Sequence, residues 1–237
     1  MQKLKCTVSY DGTNYSGFQI QPHKNTIQAE IEKTLMKIHK GEFVRIYCSG
    51  RTDAGVHAKG QVFHFKTPLD IPLLNWKKAL NTLLPDDIYV KQVERVSPSF
   101  HAQYDAVEKE YRYFVLNSSE PDVFQRNYMY YNDRTFNIEK MQEACKLFEG
   151  THDFTSFCSM RSNVKRDKVR TIFELSCNRK VDIIEFKIRG NGFLHHMIRI
   201  IIGMILDVGC GKIDKEDIEE AMARKDRTAA GVTIPPE

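Results

Sequence analysis

Two halves of this chain read in the same order: strand, helix, strand, strand, helix. In the first, Leu4, Cys6 and Val8 alternate as a strand that ends at the turn Asp11-Gly12. A helix follows, with Ile27, Ile31, Leu35 and Ile38 on one face, Asn25 as its expected cap and Gln28 three residues on. Strands are expected near 43–49 and 60–67, then a helix over 75–84 stopped by Pro85, then a closing strand over 88–93. In the second half Tyr111, Tyr113 and Val115 alternate. Asn137 is the expected cap of a helix that carries Ile138, Met141, Cys145 and Phe148 and ends at Gly150. Strands near 169–177 and 182–189 and helices over about 193–208 and 214–224 complete the half. This is the split βαβ, or ferredoxin-like, order. It predicts an α+β fold with two β-α-β-β-α halves, taken as residues 1–102 and 103–237, with the boundary in 98–106. No sequence repeat accompanies it, so the duplication rests on element order. No low-complexity linker intervenes, so the halves are expected to pack together.

The chain has 237 residues, 41% hydrophobic and 28% charged, which suits a globular protein with a substantial core. A net charge of +4 is mild, so a bound polyanion is expected on a local patch. One candidate is the basic loop RSNVKRDKVR, 161–170. It reads as a solvated loop or as a phosphate contact through Arg161, Lys165 and Arg166. The six cysteines have no CxxC spacing, which points to free thiols in a reducing compartment. There is no signal-peptide pattern. The longest apolar run, Met197 to Leu206, is interrupted by Arg199 and too short to span a bilayer. A cytoplasmic protein with no membrane partner is expected.

Chemistry concentrates in a few places. SGRTDAGVHAKGQVFHF, 49–65, sets Arg51 and Asp53 between two glycines ahead of a strand. Most loop aspartates beside glycine serve a turn. Arg199 bears on that reading. It lies between Met197-Ile198 and Ile200-Ile201-Ile202, where a desolvated guanidinium costs several kcal/mol unless a carboxylate answers it. Asp53 is a candidate partner; solvent or a glutamate is the other. EKEYRYFVLN, 108–117, places Tyr111 and Tyr113 on one strand face with Lys109. Tyrosines there pack in a core or, interleaved with Lys109 and Arg112, form a platform for a nucleobase. His195-His196 is expected on the helix, where adjacent side chains diverge by about 100° and chelate poorly; no metal site is expected.

GRTDAGVHA with GQVFHF, then EKEYRYFVLN, HDFTSF and GNGFLHHMIR, in this order and preceded by SYDGTNYSGFQIQP and NTIQAEIE, resemble the TruA-type tRNA pseudouridine synthases. The resemblance runs from about residue 7 to the C-terminus. It implies the pseudouridine synthase fold, two α/β halves related by a pseudo-twofold around a mainly antiparallel sheet. It implies an isomerase without cofactor or metal that converts uridine to pseudouridine at tRNA positions 38, 39 and 40 in the anticodon stem-loop. It also implies a homodimer with a positively charged cleft. By position, Asp53 is similar to the family's catalytic aspartate and Arg51 to the arginine that fills the space of the flipped base. Tyr111 matches the active-site tyrosine, and Arg199 the basic residue that pairs with the aspartate. The family pattern continues past Pro235-Pro236-Glu237 into a glycine-leucine-tyrosine-leucine strand. That strand carries an aliphatic residue near the target base. Either the chain was shortened or its terminus is trimmed; a chain that truly lacks this strand is short of one strand of the sheet and one wall of the pocket.

Two other readings use the same residues. A non-catalytic RNA-binding module of the RRM type shares the element order, and KGQVFHF partly matches its RNP1 stretch, though Gln61 and Lys66 fall where aromatics belong. A nucleoside hydrolase built on Asp53 needs a second carboxylate, which the GRTDAGVHA loop does not offer.

Overall fold

The computed structural model describes residues 1–160 and 167–236. The chain divides into two compact units, Met1–Ala106 and Val107–Glu237.

In the first unit, β1 (Gln2–Tyr10), β2 (Tyr47–Cys48), β3 (Ala58–Thr67) and β4 (Ile88–Val96) form an antiparallel sheet in the order β2-β3-β1-β4. Helices α1 (Ile27–Ile38) and α2 (Leu73–Leu83) make the crossovers. This strand order is the one a split βαβ unit produces. Leu4, Cys6 and Val8 of β1 are buried against Phe63 and Phe65 of β3, Ile27, Ile31 and Leu35 of α1, and Trp76 and Leu80 of α2. Phe63 and Phe65 are fully buried, so KGQVFHF puts its aromatic rings into the core. An RRM needs such rings on the open sheet face to stack bases, and that reading fails here. The register of β1 shifts between Val8 and Tyr10 against β3. A bulge there turns the chain out of the sheet into residues 11–17.

Three local expectations change. The cap of α1 is Thr26, whose side chain accepts from the Ala29 N–H, rather than Asn25. Gln28 is drawn elsewhere: its amide donates to the buried Glu32 and its carbonyl accepts from the Ile20 N–H. Glu32 also accepts from the Ile46 N–H at 3.1 Å. This side-chain bond takes a backbone donor that a strand would have used, and the strand expected over 43–49 is cut to Tyr47–Cys48.

In the second unit, β5 (Lys109–Leu116), β6 (Tyr130–Tyr131), β7 (Gly150–Asp153), β8 (Val169–Lys180) and β9 (Ile183–Gly190) give the order β6-β5-β9-β8-β7. All neighbours are antiparallel except β5 and β6. Helices α3 (Ile138–Leu147), α4 (Met197–Gly209) and α5 (Lys215–Arg224) belong to this unit. Asn137 caps α3, accepting from the Lys140 N–H at 2.8 Å. That helix stops at Leu147, and Gly150 at φ +100° opens β7, a short edge strand without clear alternation. Helix α4 begins at Met197, not near 193. His196 precedes it at φ 64° and Met197 N–H closes a turn on Leu194 O, so neither His195 nor His196 is helical. The core gathers Val115, Ile184, Phe186 and Ile188 with Met141, Cys145, Ile201 and Ile205.

The outer face of this sheet carries an ion-pair ladder. Arg112 binds Glu110 and Glu185, Glu174 binds Lys187 and Arg189, and Arg189 binds Glu108. Arg112 therefore faces away from Tyr111 and is occupied by carboxylates. The expectation that it flanks a tyrosine platform is not met. All six cysteines are free thiols. Burial pushes Cys6 and Cys145 up and Cys177 up to about 12, so these three behave as small apolar side chains. Among the described residues no helix is long and apolar enough to cross a membrane.

Candidate active site

The first unit supplies a loop, residues 49–57, moulded by residues 10–18. Phe18 N–H donates to Thr52 O at 3.1 Å, and the hydroxyls of Tyr10 and Thr52 are 2.8 Å apart. Gly55 N–H donates to Tyr15 O, and Gly12 N–H donates to His57 Nδ1 at 3.0 Å. Within the loop Val56 N–H returns to Asp53 O at 3.2 Å, with Gly55 at φ +81° in the left-handed region that glycine adopts without strain. At its start, Gln61 donates to Gly50 O and accepts from Ser49 Oγ.

The mould is close. A Cβ at Gly12 would lie 2.1 Å from Val56 O, and one at Gly17, where φ is +92°, 2.7 Å from Thr52 O. The mould is itself anchored. Tyr15 donates its hydroxyl to Asp87 at 2.6 Å, and Asp11 N–H donates to Asp87 O. Burial, then Asp87, raises the Tyr15 phenol, which stays protonated. Arg51 projects as an exposed side chain and Asp53 is half-buried. The backbone of the aspartate's loop is thus fixed on both sides, and its carboxylate is the loop's acidic group.

The second unit supplies the other candidates. Tyr111 lies on β5 opposite Ile188, half-buried, with its ring edge-on to Phe193 at 5.3 Å and 85°. Lys109 is on the same face of β5, opposite Gly190. Tyr113, on that face too, donates its hydroxyl to Pro235 O at 2.9 Å. Arg199 is half-buried on α4, and its Nε donates to Ile234 O at 2.7 Å. The same terminal segment crosses α4 at Gly203, where a Cβ would lie 2.7 Å from Val232 O. Arg227 holds it as well, donating to Ala230 O and Gly231 O. Arg161, Lys165 and Arg166 of the basic loop lie outside the described residues.

Sequence reasoning missed two parts of this arrangement. One is the role of SYDGTNYSGF as the mould for the aspartate loop; two glycines spaced five apart were the available signal. The other is the hold of Arg199 on the terminal segment, which a helix periodicity does not carry.

A family model described as tRNA pseudouridine synthase matches residues 7–105 and 144–237, which takes in Asp53 and Arg199, while Tyr111 falls between the two stretches. The tRNA pseudouridine synthase A of Oceanobacillus iheyensis is 54% identical over 237 residues, covering 100% of this chain and 94% of that protein. The tRNA pseudouridine synthase A of Bacillus subtilis is 52% identical over 234 residues, 98% of this chain and 94% of that protein. The tRNA pseudouridine synthase A 1 of Bacillus cereus is 52% identical over 235 residues, 99% of this chain and 95% of that protein. With kinship of this strength along its whole length, the chain belongs to the tRNA pseudouridine synthase family.

Proposed function

We propose that this protein isomerises uridine to pseudouridine at positions 38, 39 and 40 in the anticodon stem-loop of tRNA, with the Asp53 carboxylate acting at the ribose of the target nucleotide. The observation that carries the reading is the 54% identity to a tRNA pseudouridine synthase over the entire chain. The moulded loop supports the choice of Asp53, because a catalytic carboxylate works from a fixed position.

The reaction breaks the N1–C1′ bond, turns the base and joins C5 to C1′. One proton leaves C5 and one is gained at N1, so atoms and electrons balance within the substrate. The target base first leaves the stack, at a cost of about a few kcal/mol. Arg51, exposed two residues before Asp53, fills the gap and offsets that cost. Asp53, ionised, then meets the sugar, either at C1′ as a nucleophile or at the C2′ proton. Arg199 pairs with it and keeps it charged. Tyr111 stacks on the uracil and assists loss of the C5 proton. Lys109 and the basic residues Arg161, Lys165 and Arg166 meet phosphates. The working form is a cytoplasmic homodimer, which sedimentation checks.

The direct experiment uses a tRNA transcript tritiated at uridine C5. Release of tritium to water with the RNA chain and its bases retained is the expected result. Free uracil with an abasic site would instead make the protein a hydrolase, and neither product would make it a binder.

The mould gives a further expectation. Gly12→Ala forces the 11–17 segment away from Val56 O, because the facing atom is backbone and cannot rotate aside. A loss of about 1–3 kcal/mol in stability is expected from such overpacking. Tritium release should fall by at least about tenfold, the order expected when a catalytic group is displaced by a fraction of an ångström. Thermal melts and single-turnover tritium release measure both.

A further inference from the structure

The face of the first sheet opposite α1 and α2 carries an aromatic column that none of the roles above uses. Tyr47 on β2 faces His64 on β3 across the strand pair, stacked at 5.2 Å and 19°. His64 meets His101 at 4.8 Å, and His101 stacks on Tyr104 at 4.3 Å and 29°. Residues 97–105 cross this face and are fastened there. Lys3 donates its ammonium to Pro98 O and Phe100 O, Ala102 N–H donates to His64 Nδ1 at 3.1 Å, and His101 N–H donates to Asp105. The middle of the column is buried, with His64 at 3% exposure, while its ends face solvent, Tyr104 at 77% and Tyr47 at 47%.

His64, in the middle of the column, is neutral. His64 accepts through Nδ1, so that nitrogen carries no proton, and burial followed by His101 and the cations Lys3 and Lys66 holds the ring's pKa down, at about 4. Cations flank the column: Lys66, exposed, lies opposite Lys3 in the sheet, and Arg45, exposed, stands two residues before Tyr47, while the exposed Asp105 is the carboxylate beside Tyr104. A large ring held out in water by stacking on another ring costs hydrophobic free energy that a partner would recover.

We propose that Tyr104 and Tyr47 form a second RNA-contact platform, on whose exposed rings unpaired nucleobases of the tRNA stack while Arg45 and Lys66 meet the adjoining phosphates. This rests on the reading of tRNA as substrate. Flat rings with cations between them are the chemistry of single-stranded nucleic-acid grooves. A self-contact fits less well: a twofold interface would bring these cations against their own copies, and this face lacks the aliphatic centre such interfaces bury.

The experiment compares Tyr104→Ala, Tyr104→Leu and Tyr104→Phe in the full chain, using a full-length tRNA transcript at fixed salt. Filter binding reads Kd, tritium release at saturating enzyme reads the single-turnover rate, and sedimentation reads the oligomeric state. Tyr104→Ala and Tyr104→Leu should each raise Kd about tenfold, the lower part of the range for one lost base stack. Tyr104→Phe should stay within about twofold of the parent, because it keeps the ring. All three should leave the saturated single-turnover rate unchanged. Equal Kd for the parent and Tyr104→Ala overturns the platform, and so does a change of oligomeric state in Tyr104→Ala, which makes this face a subunit contact. The two readings fail separately. A parent that binds tRNA through Tyr104 but releases no tritium loses the isomerase activity and keeps the platform. A parent that releases tritium with no dependence on Tyr104 keeps the activity and loses the platform.

Discussion

Asp53→Asn is expected to abolish tritium release from C5-labelled tRNA, by at least about a thousandfold, while the Kd for tRNA stays within about threefold. The substitution nearly conserves shape. It removes one negative charge and leaves the loop intact, because the loop is held by backbone contacts from Phe18, Gly55 and Val56 that the side chain does not make. An amide is a poor nucleophile and a poor base, so either route at the ribose is blocked by the same change. Affinity survives because it comes mostly from phosphate contacts spread over the RNA. Single-turnover tritium release with filter binding on the same samples makes the comparison. Undiminished release would remove Asp53 from the mechanism.

Arg199→Leu is expected to lower single-turnover tritium release by about a hundredfold while raising the Kd for tRNA by no more than about threefold. The guanidinium has five donors in a planar fork. Its Nε already serves Ile234 O at 2.7 Å, and the proposed carboxylate partner needs a second edge of the same group. Leucine satisfies neither. Arg199→Lys should recover less than about a tenth of the lost rate, because a point charge cannot take two acceptors in the fork geometry. The bond to Ile234 O also predicts a loss of about 1 kcal/mol in stability, read by thermal melting. If the leucine variant turned over like the parent, the proposed pair would fall, and a melting change without a rate change would leave Arg199 as a fastening for the terminal segment.

Much of the fold was legible because burial follows periodicity. Leu4, Cys6 and Val8 of β1, and Ile184, Phe186 and Ile188 of β9, alternate in the sequence and alternate in the core. Asn137 was legible as a cap because a cap needs only its own side chain and the amide three residues on. The errors arise where a distant group competes for local hydrogen bonds. Residues 43–46 look like strand, yet the Ile46 N–H is taken by Glu32, a buried carboxylate on a helix that no propensity anticipates. The late start of α4 has a similar origin. His196 sits in the left-handed region, uncommon for a residue other than glycine, and nothing in GNGFLHH signals it. At the site, residue types could be read from motifs, whereas the mould around the aspartate loop could not. Two glycines far from Asp53 in sequence reveal their purpose only when a Cβ is placed on them.

The abutment of Gly12 on Val56 and of Gly17 on Thr52 leaves no slack beneath the aspartate loop. A random-mutagenesis screen for lost activity should therefore return bland exchanges, glycine to alanine or serine, among the first twenty positions, which hold none of the proposed catalytic side chains. Such hits would be inactive through geometry alone, and smaller residues elsewhere in the loop would not rescue them, since the colliding atoms belong to the main chain.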